Sequence, residues 1–314
     1  MPSANTIADT WRRLYRENRY CRHLSQSELS QRLRDVFLNN LRLTPKAKVG
    51  LHPMEKGGLR GMETFTHVLE EMALRHGPYP NGLTEDVFHR EPIPNFVGEL
   101  GRKAADALAS KGLTAGDVFI KFGKTVHMKA LIDEGALRIQ PASFYRAPGH
   151  NGAVRDDERN LSVGFVLTRE QVLRVAINPQ DVPDSLGEQR VDINYAAGSN
   201  YWLYCVTNSL EERLFVDFEA DACVIIKDRE RFKQLLRSAA KKLVGVSQED
   251  GNANYIDPVM PQSPDVDVPM SKHFRYSYQD EYRFIWMPTI PVENLSHVDL
   301  RLGSLEDFAE LVVL

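Results

Sequence analysis

The sequence predicts an α+β protein in which an N-terminal helical region, residues 1–115, precedes a mixed or antiparallel β-rich domain, residues 116–314. In the first part, apolar residues recur every three or four positions, which is the spacing of amphipathic helices. After residue 115 the apolar runs become short and are bounded by turn residues, which is typical of strands. The composition, 42% hydrophobic and 26% charged, is that of a globular protein.

Four helices are predicted in the N-terminal region, at residues 6–20, 26–43, 62–75 and 98–111. Ser25 or Ser27 can cap the second helix, because Glu28 lies in its first turn. Residues 77–94 are rich in Pro, Gly and Asn, which predicts a long surface loop.

The β-rich domain begins with a strand, a helix that stops at Gly135 and a second strand. Asp228 is positioned to cap a later helix, at residues 229–243, and a last helix is predicted at residues 305–311. The predicted strands are residues 118–122, 136–140, 161–167, 191–197, 201–207, 222–227, 244–248, 254–257, 274–287 and 298–302.

The strand predicted at residues 274–287 is the most informative segment, because its side chains alternate in character. One face is mostly aromatic and is predicted to face the core: Tyr276, Tyr278, Asp280, Tyr282, Phe284 and Trp286. The other face presents Gln279, Glu281 and Arg283 in consecutive positions, about 7 Å apart. A carboxylate fixed in this way can perform chemistry. The alternative, which residue statistics alone favour, is the solvated side of a strand, with Glu281 paired to Arg283.

Charge is distributed unevenly along the chain. The net charge is −4, and residues 1–115 carry 17 Lys and Arg against 13 Asp and Glu. The arginines near the N-terminus are interspersed with aromatic residues, a mixture that suits nucleic acid. They are Arg12, Arg13, Arg16, Arg19, Arg22, Arg32 and Arg34. The alternatives are an amphipathic helical pair with a solvated arginine face, or a surface that docks on a partner protein.

Three cysteines, Cys21, Cys205 and Cys223, are widely spaced and form no CxxC motif, which argues against a disulfide framework or a zinc site. The sequence contains no apolar run of signal-peptide length and none near the ~18 residues of a membrane span. We therefore expect a cytoplasmic protein without membrane contact. The motifs of dinucleotide-binding folds, nucleotide triphosphatases, zinc peptidases and serine hydrolases are also missing from the sequence.

Three segments, in order, resemble a known class of protein. The first comprises residues 119–146 and the acidic run at 155–159, the second residues 201–222, and the third residues 272–286 with its Gln279-x-Glu281 pair. Over residues 118–290 this pattern resembles bacterial proteins of the ADP-ribosyltransferase-like class that are linked to toxins and phage defence. The resemblance implies that NAD is the substrate and that a protein or nucleic acid is the acceptor.

The resemblance also implies roles for individual residues. Glu281 would stabilise the positive charge that develops on the ribose, and Gln279 would orient the acceptor. The NAD-binding residues would be Lys121 or Arg138 for the pyrophosphate, Phe144 or Tyr145 for the nicotinamide, and Thr207 and Ser209 for the ribose or carboxamide. The alternatives are strand-edge charges for Lys121 and Arg138, loop anchors for Phe144 and Tyr145, and a helix N-cap for Ser209.

Two other functions remain open. The protein can be a catalytically inactive ADP-ribosyltransferase-like module that binds nucleic acid or a partner protein, such as a neutralising antitoxin. A metal-dependent nuclease would use the carboxylates and imidazole of His150, Asp156, Asp157 and Glu158.

Overall fold

The computed structural model describes residues 4–44, 46–52, 58–77, 94–109, 118–261 and 263–314. Within them, an N-terminal helical region precedes a β-rich part whose sheets are mostly antiparallel, as the sequence predicts. Most of the predicted loop at residues 77–94 lies outside the described residues. None of the described helices combines the length and apolar character needed to cross a membrane.

Four described helices form the N-terminal region, and its small core includes Tyr15, Leu29, Leu33 and Val68. The helices are α1 (Ala4–Glu17), α2 (Gln26–Asn40), α3 (Gly58–His76) and α4 (Glu99–Leu108). Two short strands, β1 (Leu41–Leu43) and β2 (Val49–Leu51), follow α2 as an antiparallel pair. Ser25 is the N-cap of α2, in a capping box with Glu28, which confirms one of the two predicted caps.

The β-rich part contains four further described α-helices, and their ends follow local rules. Gly135 ends α5 in the left-handed conformation, with φ of 63°, and Asp228 caps α8 through the backbone N–H of Arg231. Both features were predicted. The helices are α5 (Thr125–Glu134), α6 (Arg169–Val175), α7 (Arg213–Asp217) and α8 (Arg229–Ala240).

Twelve described strands follow in this part of the chain. The first six are β3 (Phe119–Gly123), β4 (Ala136–Pro141), β5 (Asn160–Leu167), β6 (Gln189–Ala196), β7 (Trp202–Thr207) and β8 (Ala222–Ile226). The other six are β9 (Val246–Asn252), β10 (Asn254–Ile256), β11 (Ser271–His273), β12 (Glu281–Pro288), β13 (Val298–Arg301) and β14 (Ala309–Val313).

The main sheet is built around β7. Strand β12 pairs with β7 along the whole length of β7, so the other edge of β7 is shared by β4, at Trp202 and Leu203, and by β3, at Thr207. Strands β3 and β4 therefore separate along this edge. Strands β8 and β14 extend the sheet beyond β3, β13 extends it beyond β4, and β9 pairs with β12.

Both faces of this sheet are buried. Tyr282, Phe284 and Trp286 of β12 enter the main core beneath α5 and α8, which confirms the predicted aromatic core face. The opposite face carries Glu281, Arg283 and Ile285, all less than 9% exposed. The predicted solvated side of this strand is therefore wrong, because neighbouring segments cover it.

Two predicted elements are wrong. Residues 274–279 form a 3-10 helix instead of the first half of a strand, and the chain turns at Asp280, whose φ is 45°, before β12 begins. The last predicted helix is instead strand β14, because the free edge of β8 takes Ala309–Val313 as an antiparallel neighbour. This pairing satisfies the N–H and C=O groups along the edge of β8, which a short helix in this place would have left unpaired.

Candidate functional site around Glu281

Three strands that are far apart in the sequence meet at Thr207. Ile120 of β3 and Glu281 of β12 are both register partners of Thr207 on β7. Residues in register on neighbouring antiparallel strands have Cβ atoms about 5 Å apart and side chains on one face. Glu281 and Thr207 therefore lie side by side on the face of the sheet opposite the main core.

Asn208 fixes the position of Glu281 at the very start of β12. Its backbone N–H and its side-chain amide both donate to the carbonyl oxygen of Asp280, at 2.9 and 3.1 Å. The backbone N–H of Glu281 donates to the hydroxyl of Tyr255, at 2.8 Å. The residue after β7 thus fixes the turn at Asp280, and with it the position of the Glu281 carboxylate.

The Glu281 carboxylate belongs to a buried cluster of four charges, with Lys272, Arg283 and Glu158. Lys272 Nζ lies 2.6 Å from Glu281 Oε1, and Arg283 Nη2 lies 3.3 Å from Glu281 Oε2. Glu158 lies 2.9 Å from Arg283 Nη2 and 3.7 Å from Lys272 Nζ. Each of these four side chains is at most 10% exposed. The expected pairing of Glu281 with Arg283 is confirmed.

Burial and ion pairing act in opposite directions on the two carboxyls. Burial alone raises the pKa of Glu281, but the Lys272 ammonium and the Arg283 guanidinium outweigh it and lower that pKa to about 2. Burial raises the pKa of Glu158, despite the same two cations. Two neighbouring carboxyls with pKa values pushed apart are typical of sites where one is charged and the other holds a proton more readily.

Gln279 joins the cluster from the 3-10 helix instead of from the strand. Its Oε1 accepts a hydrogen bond from Lys272 Nζ at 2.9 Å, and its Nε2 donates to the carbonyl of Ala153 at 2.8 Å. Gln279 and Glu281 are therefore brought together, as the sequence predicts, but by a shared lysine. The bond to Ala153 fastens residues 147–159, which we call the covering segment, over the cluster.

Thr207 and Ser209 form a local turn at the end of β7. The Thr207 hydroxyl accepts from the backbone N–H of Ser209 at 3.2 Å and is buried beside Glu281. Ser209 faces a separate cleft of about 670 Å³. The alternative role of Ser209 as a helix N-cap is wrong, because α7 begins at Arg213 with Glu212 as its N-cap.

Phe144 and Tyr145 lie in the 3-10 helix Ala142–Arg146, and Tyr145 is on the same face as Glu281. Tyr145 packs against the core formed by Leu203 and Ile285, and burial raises its pKa well above the usual range. Phe144 is 38% exposed, and its ring centroid lies 4.5 Å from that of His150. Phe144 is thus the more accessible of the two aromatic rings.

Lys121 and Arg138 do not join Glu281. Lys121 follows Ile120 on β3, so its side chain points to the opposite face, where it stacks on Tyr204 at 4.6 Å. Arg138 on β4 pairs with Asp299 at 2.7 Å. Both residues line a second cleft, of about 930 Å³. The structure thus does not bring Lys121 or Arg138 into contact with Glu281; for Lys121 the reason is that the side chains of a strand alternate between faces.

The cation beside Glu281 was missed in the sequence. Lys272 lies nine residues before Glu281 on a different short strand, β11, and no periodicity links the two. Glu158 was considered only as part of the acidic run. The one available signal was that Lys272 and Arg283 lie on either side of the Gln279-x-Glu281 pair within one short segment.

Three residues of the nuclease alternative have different partners. Glu158 turns inward to Arg283, whereas Asp157 accepts hydrogen bonds from Asn160, and His150 contacts the carbonyl of Phe144. Among the described residues, no group of three His, Cys, Asp or Glu side chains is placed to hold a metal ion. Within the acidic run at 155–159, Asp157 therefore stabilises the local turn and Glu158 belongs to the buried cluster.

The N-terminal arginines are largely engaged in ion pairs within the protein. Arg16 pairs with Glu70, Arg19 with Glu71 and Arg32 with Asp257 at 2.7–3.0 Å. Three others also have carboxylate partners: Arg12, Arg13 and Arg22. Phosphate binding at this surface would compete with these pairs.

Comparisons with protein-family models, with curated proteins and with solved structures gave no match.

Proposed function

We propose that this protein is an NAD-dependent ADP-ribosyltransferase with Glu281 as its catalytic carboxylate. The observation that carries the proposal is the register Ile120–Thr207–Glu281 across three neighbouring strands. These strands come from the three sequence segments whose order resembles the ADP-ribosyltransferase-like class. Their meeting at one level of one sheet supports a shared site at the end of β7.

The charge of Glu281 suits the chemistry. In ADP-ribosyl transfer the bond between ribose C1′ and the nicotinamide nitrogen breaks, nicotinamide leaves with the bonding electrons, and positive charge develops on the ribose. A fixed carboxylate stabilises that charge without reorganising during the reaction. A pKa of about 2 keeps Glu281 ionised at neutral pH, and Lys272 and Arg283 hold its two oxygens in place.

The acceptor completes the reaction when its nucleophilic atom bonds to ribose C1′ and loses a proton. Gln279 shares Lys272 with Glu281, so its amide is close enough to orient an acceptor group at the same carbon. We propose a macromolecular acceptor.

Substrate entry requires the covering segment to move. This segment contacts the cluster through Glu158 and is fastened by the Gln279–Ala153 hydrogen bond. It contains Gly149 and Gly152, where a Cβ would meet no other atom within 4 Å, so the backbone has room to rearrange. Opening at this point would expose Glu281, Thr207 and Tyr145 together.

The biological setting in this proposal is a cytoplasmic toxin or phage-defence effector that a neutralising partner protein holds inactive. Cys21, Cys205 and Cys223 are all free thiols, which suits a reducing compartment.

A second candidate is a catalytically inactive module of the same fold. The observation that favours it is the closure of the ion cluster: the Glu281 side chain is 10% exposed and both of its oxygens have cationic partners. In that case Glu281 stabilises the fold, and the protein acts by binding a partner or nucleic acid.

Transfer of label separates the two candidates. The full chain is incubated with NAD that carries label in its adenylate part, together with protein, RNA and DNA acceptors. We expect the wild type to label one class of acceptor and Glu281→Gln to lose this activity. The matched control is Glu71→Gln, which removes an equally buried carboxylate from the N-terminal core, where it accepts from Tyr15 and Arg19.

Two outcomes would contradict the proposal. The wild type could give neither labelled acceptor nor free nicotinamide, which favours the inactive module. Alternatively, folded Glu281→Gln could retain full activity, which removes Glu281 from the chemistry.

A further inference from the structure

The cleft of about 930 Å³ lies where β3 and β4 separate along the edge of β7. Its floor is apolar and belongs to the main core, with Met128, Leu131, Leu137 and Tyr204. Its volume falls within the range of about 300–1,000 Å³ that is usual for small-molecule sites.

Positive charge surrounds this floor. The lining includes the side chains of Lys121, Arg138, Lys242 and Arg301, and the carboxylate of Asp299. Asp299 binds Arg138 through its carboxylate and Lys242 through its backbone carbonyl, and Arg301 pairs with Glu134 beside the cleft. Among the described residues, these four cations thus face two carboxylates, an excess of two positive charges in a protein whose net charge is −4.

Lys121 is the innermost of these cations. Its Nζ donates to the carbonyl of Cys205 at 2.8 Å. Cys205 lies on β7 between Thr207, which pairs with β3, and Leu203, which pairs with β4. In the described part of the chain, no carboxylate forms an ion pair with this ammonium. An ammonium has three N–H donors, so Lys121 retains donors for a ligand. Burial lowers its pKa, and an anion in the cleft would reverse that effect.

We infer that this cleft binds a phosphate-bearing small molecule of nucleotide size, at a site separate from Glu281. The phosphates would bind Lys121, Lys242 and Arg301, and the organic part would lie over the apolar floor. Ammonium and guanidinium groups at the rim of an apolar pocket are the usual recognition chemistry for such ligands.

The cleft of about 670 Å³ that Ser209 lines has the opposite charge. Glu211, Asp265 and Asp280 line it together with Arg60, and Asp257 in its wall is already paired to Arg32. Electrostatics therefore directs a phosphate ligand to the basic cleft instead.

Glu281 is not among the residues that line the basic cleft. Lys121 and Glu281 point to opposite sides of the sheet, so a ligand held by Lys121 does not touch Glu281. Binding in the cleft can therefore be measured independently of NAD turnover.

The test is isothermal titration of the full chain with ADP, with pyrophosphate and with adenosine at low salt. We expect ADP and pyrophosphate to bind and adenosine to bind at least about tenfold more weakly, a difference of about 1.4 kcal/mol. Lys242→Gln and Arg301→Gln should each weaken ADP binding by about tenfold. The matched control is Lys241→Gln, which removes the neighbouring exposed lysine outside the cleft and should leave the affinity within about twofold.

Lys121→Met should weaken ADP binding most. Where this variant fails to fold, the affinities of Lys242→Gln and Arg301→Gln decide the test. Equal affinity for adenosine and ADP, an equal effect of Lys241→Gln and Lys242→Gln, or no heat from ADP and pyrophosphate at millimolar concentration would overturn the inference. Loss of ADP binding in folded Glu281→Gln would also overturn it, because the ligand would then lie on the Glu281 face. Unchanged ADP binding in Glu281→Gln supports it, whatever the outcome of the label-transfer assay.

Discussion

Replacement of Glu281 by glutamine is expected to destabilise the protein by about 3 kcal/mol at pH 7. The variant keeps the shape of the side chain but leaves Lys272 and Arg283 with Glu158 as their remaining ion-pair partner in the cluster. The pKa of Glu281 falls from the ordinary 4.5 to about 2, and at about 1.4 kcal/mol per tenfold change in acidity this is worth about 3 kcal/mol. Breaking one side of a buried ion pair is known to cost about 3–5 kcal/mol, which agrees.

The same contribution has a defined pH dependence. Because the folded-state pKa of Glu281 is lowered, its stabilising effect is fully present above pH 4.5 and is lost as the pH falls toward 2. The stability difference between the wild type and Glu281→Gln should therefore shrink by about 2 kcal/mol between pH 5 and pH 3. Groups that titrate in the same way in both proteins cancel in this difference.

Urea denaturation of both proteins at several pH values measures this effect. The control is Glu249→Gln, on the neighbouring strand β9, where the carboxylate is exposed and the change should stay within about 0.5 kcal/mol. The reasoning is refuted where Glu281→Gln is no less stable than Glu249→Gln at pH 7. It is also refuted if the stability difference between the wild type and Glu281→Gln is the same at pH 3 as at pH 5.

Two further predictions concern the covering segment and the glycine that ends α5. Gln279→Leu removes the amide that donates to Ala153, so hydrogen exchange of residues 147–159 should accelerate by at least about tenfold, and unchanged protection would show that other contacts hold this segment. Gly135→Ala should lower stability by at least about 1–2 kcal/mol in thermal denaturation, because φ is +63° and a Cβ would meet the Gly303 carbonyl oxygen at 2.3 Å. Gly149→Ala, with open space around it, is the control and should be near neutral.

Local signals were read correctly from the sequence. The Ser25–Glu28 capping box, the Gly135 stop and the Asp228 cap each depend on residues within one helical turn, and each is present. The α+β class follows from the same local patterns, because hydrophobic spacing depends on neighbours along the chain.

Misreadings arose where pairing between distant segments decides the structure. Alternating aromatic residues at 274–279 suit a strand, yet the chain forms a 3-10 helix there, because the turn at Asp280 must deliver Glu281 to the end of β7. The segment after Leu305 has helical spacing, but the open edge of β8 makes it a strand. Neither the turn at Asp280 nor the pairing with β8 can be predicted from the neighbouring residues in the sequence.

The candidate site was likewise found only in part. Glu281, Gln279, Thr207 and Tyr145 lie on one face, whereas Lys121 lies on the other. The choice of face for Lys121 depends on the register Ile120–Thr207, which one sequence does not reveal.

The rate of nicotinamide release from NAD tests the central proposal most directly. Wild type, Glu281→Gln and Glu71→Gln are compared at pH 7 under conditions in which circular dichroism shows all three to be folded. The proposal predicts that Glu281→Gln lowers the rate by about 10²–10³-fold, the size seen when one preorganised electrostatic group is removed, while Glu71→Gln retains the wild-type rate. Equal rates in the two variants, or no release by the wild type with any acceptor, would contradict it.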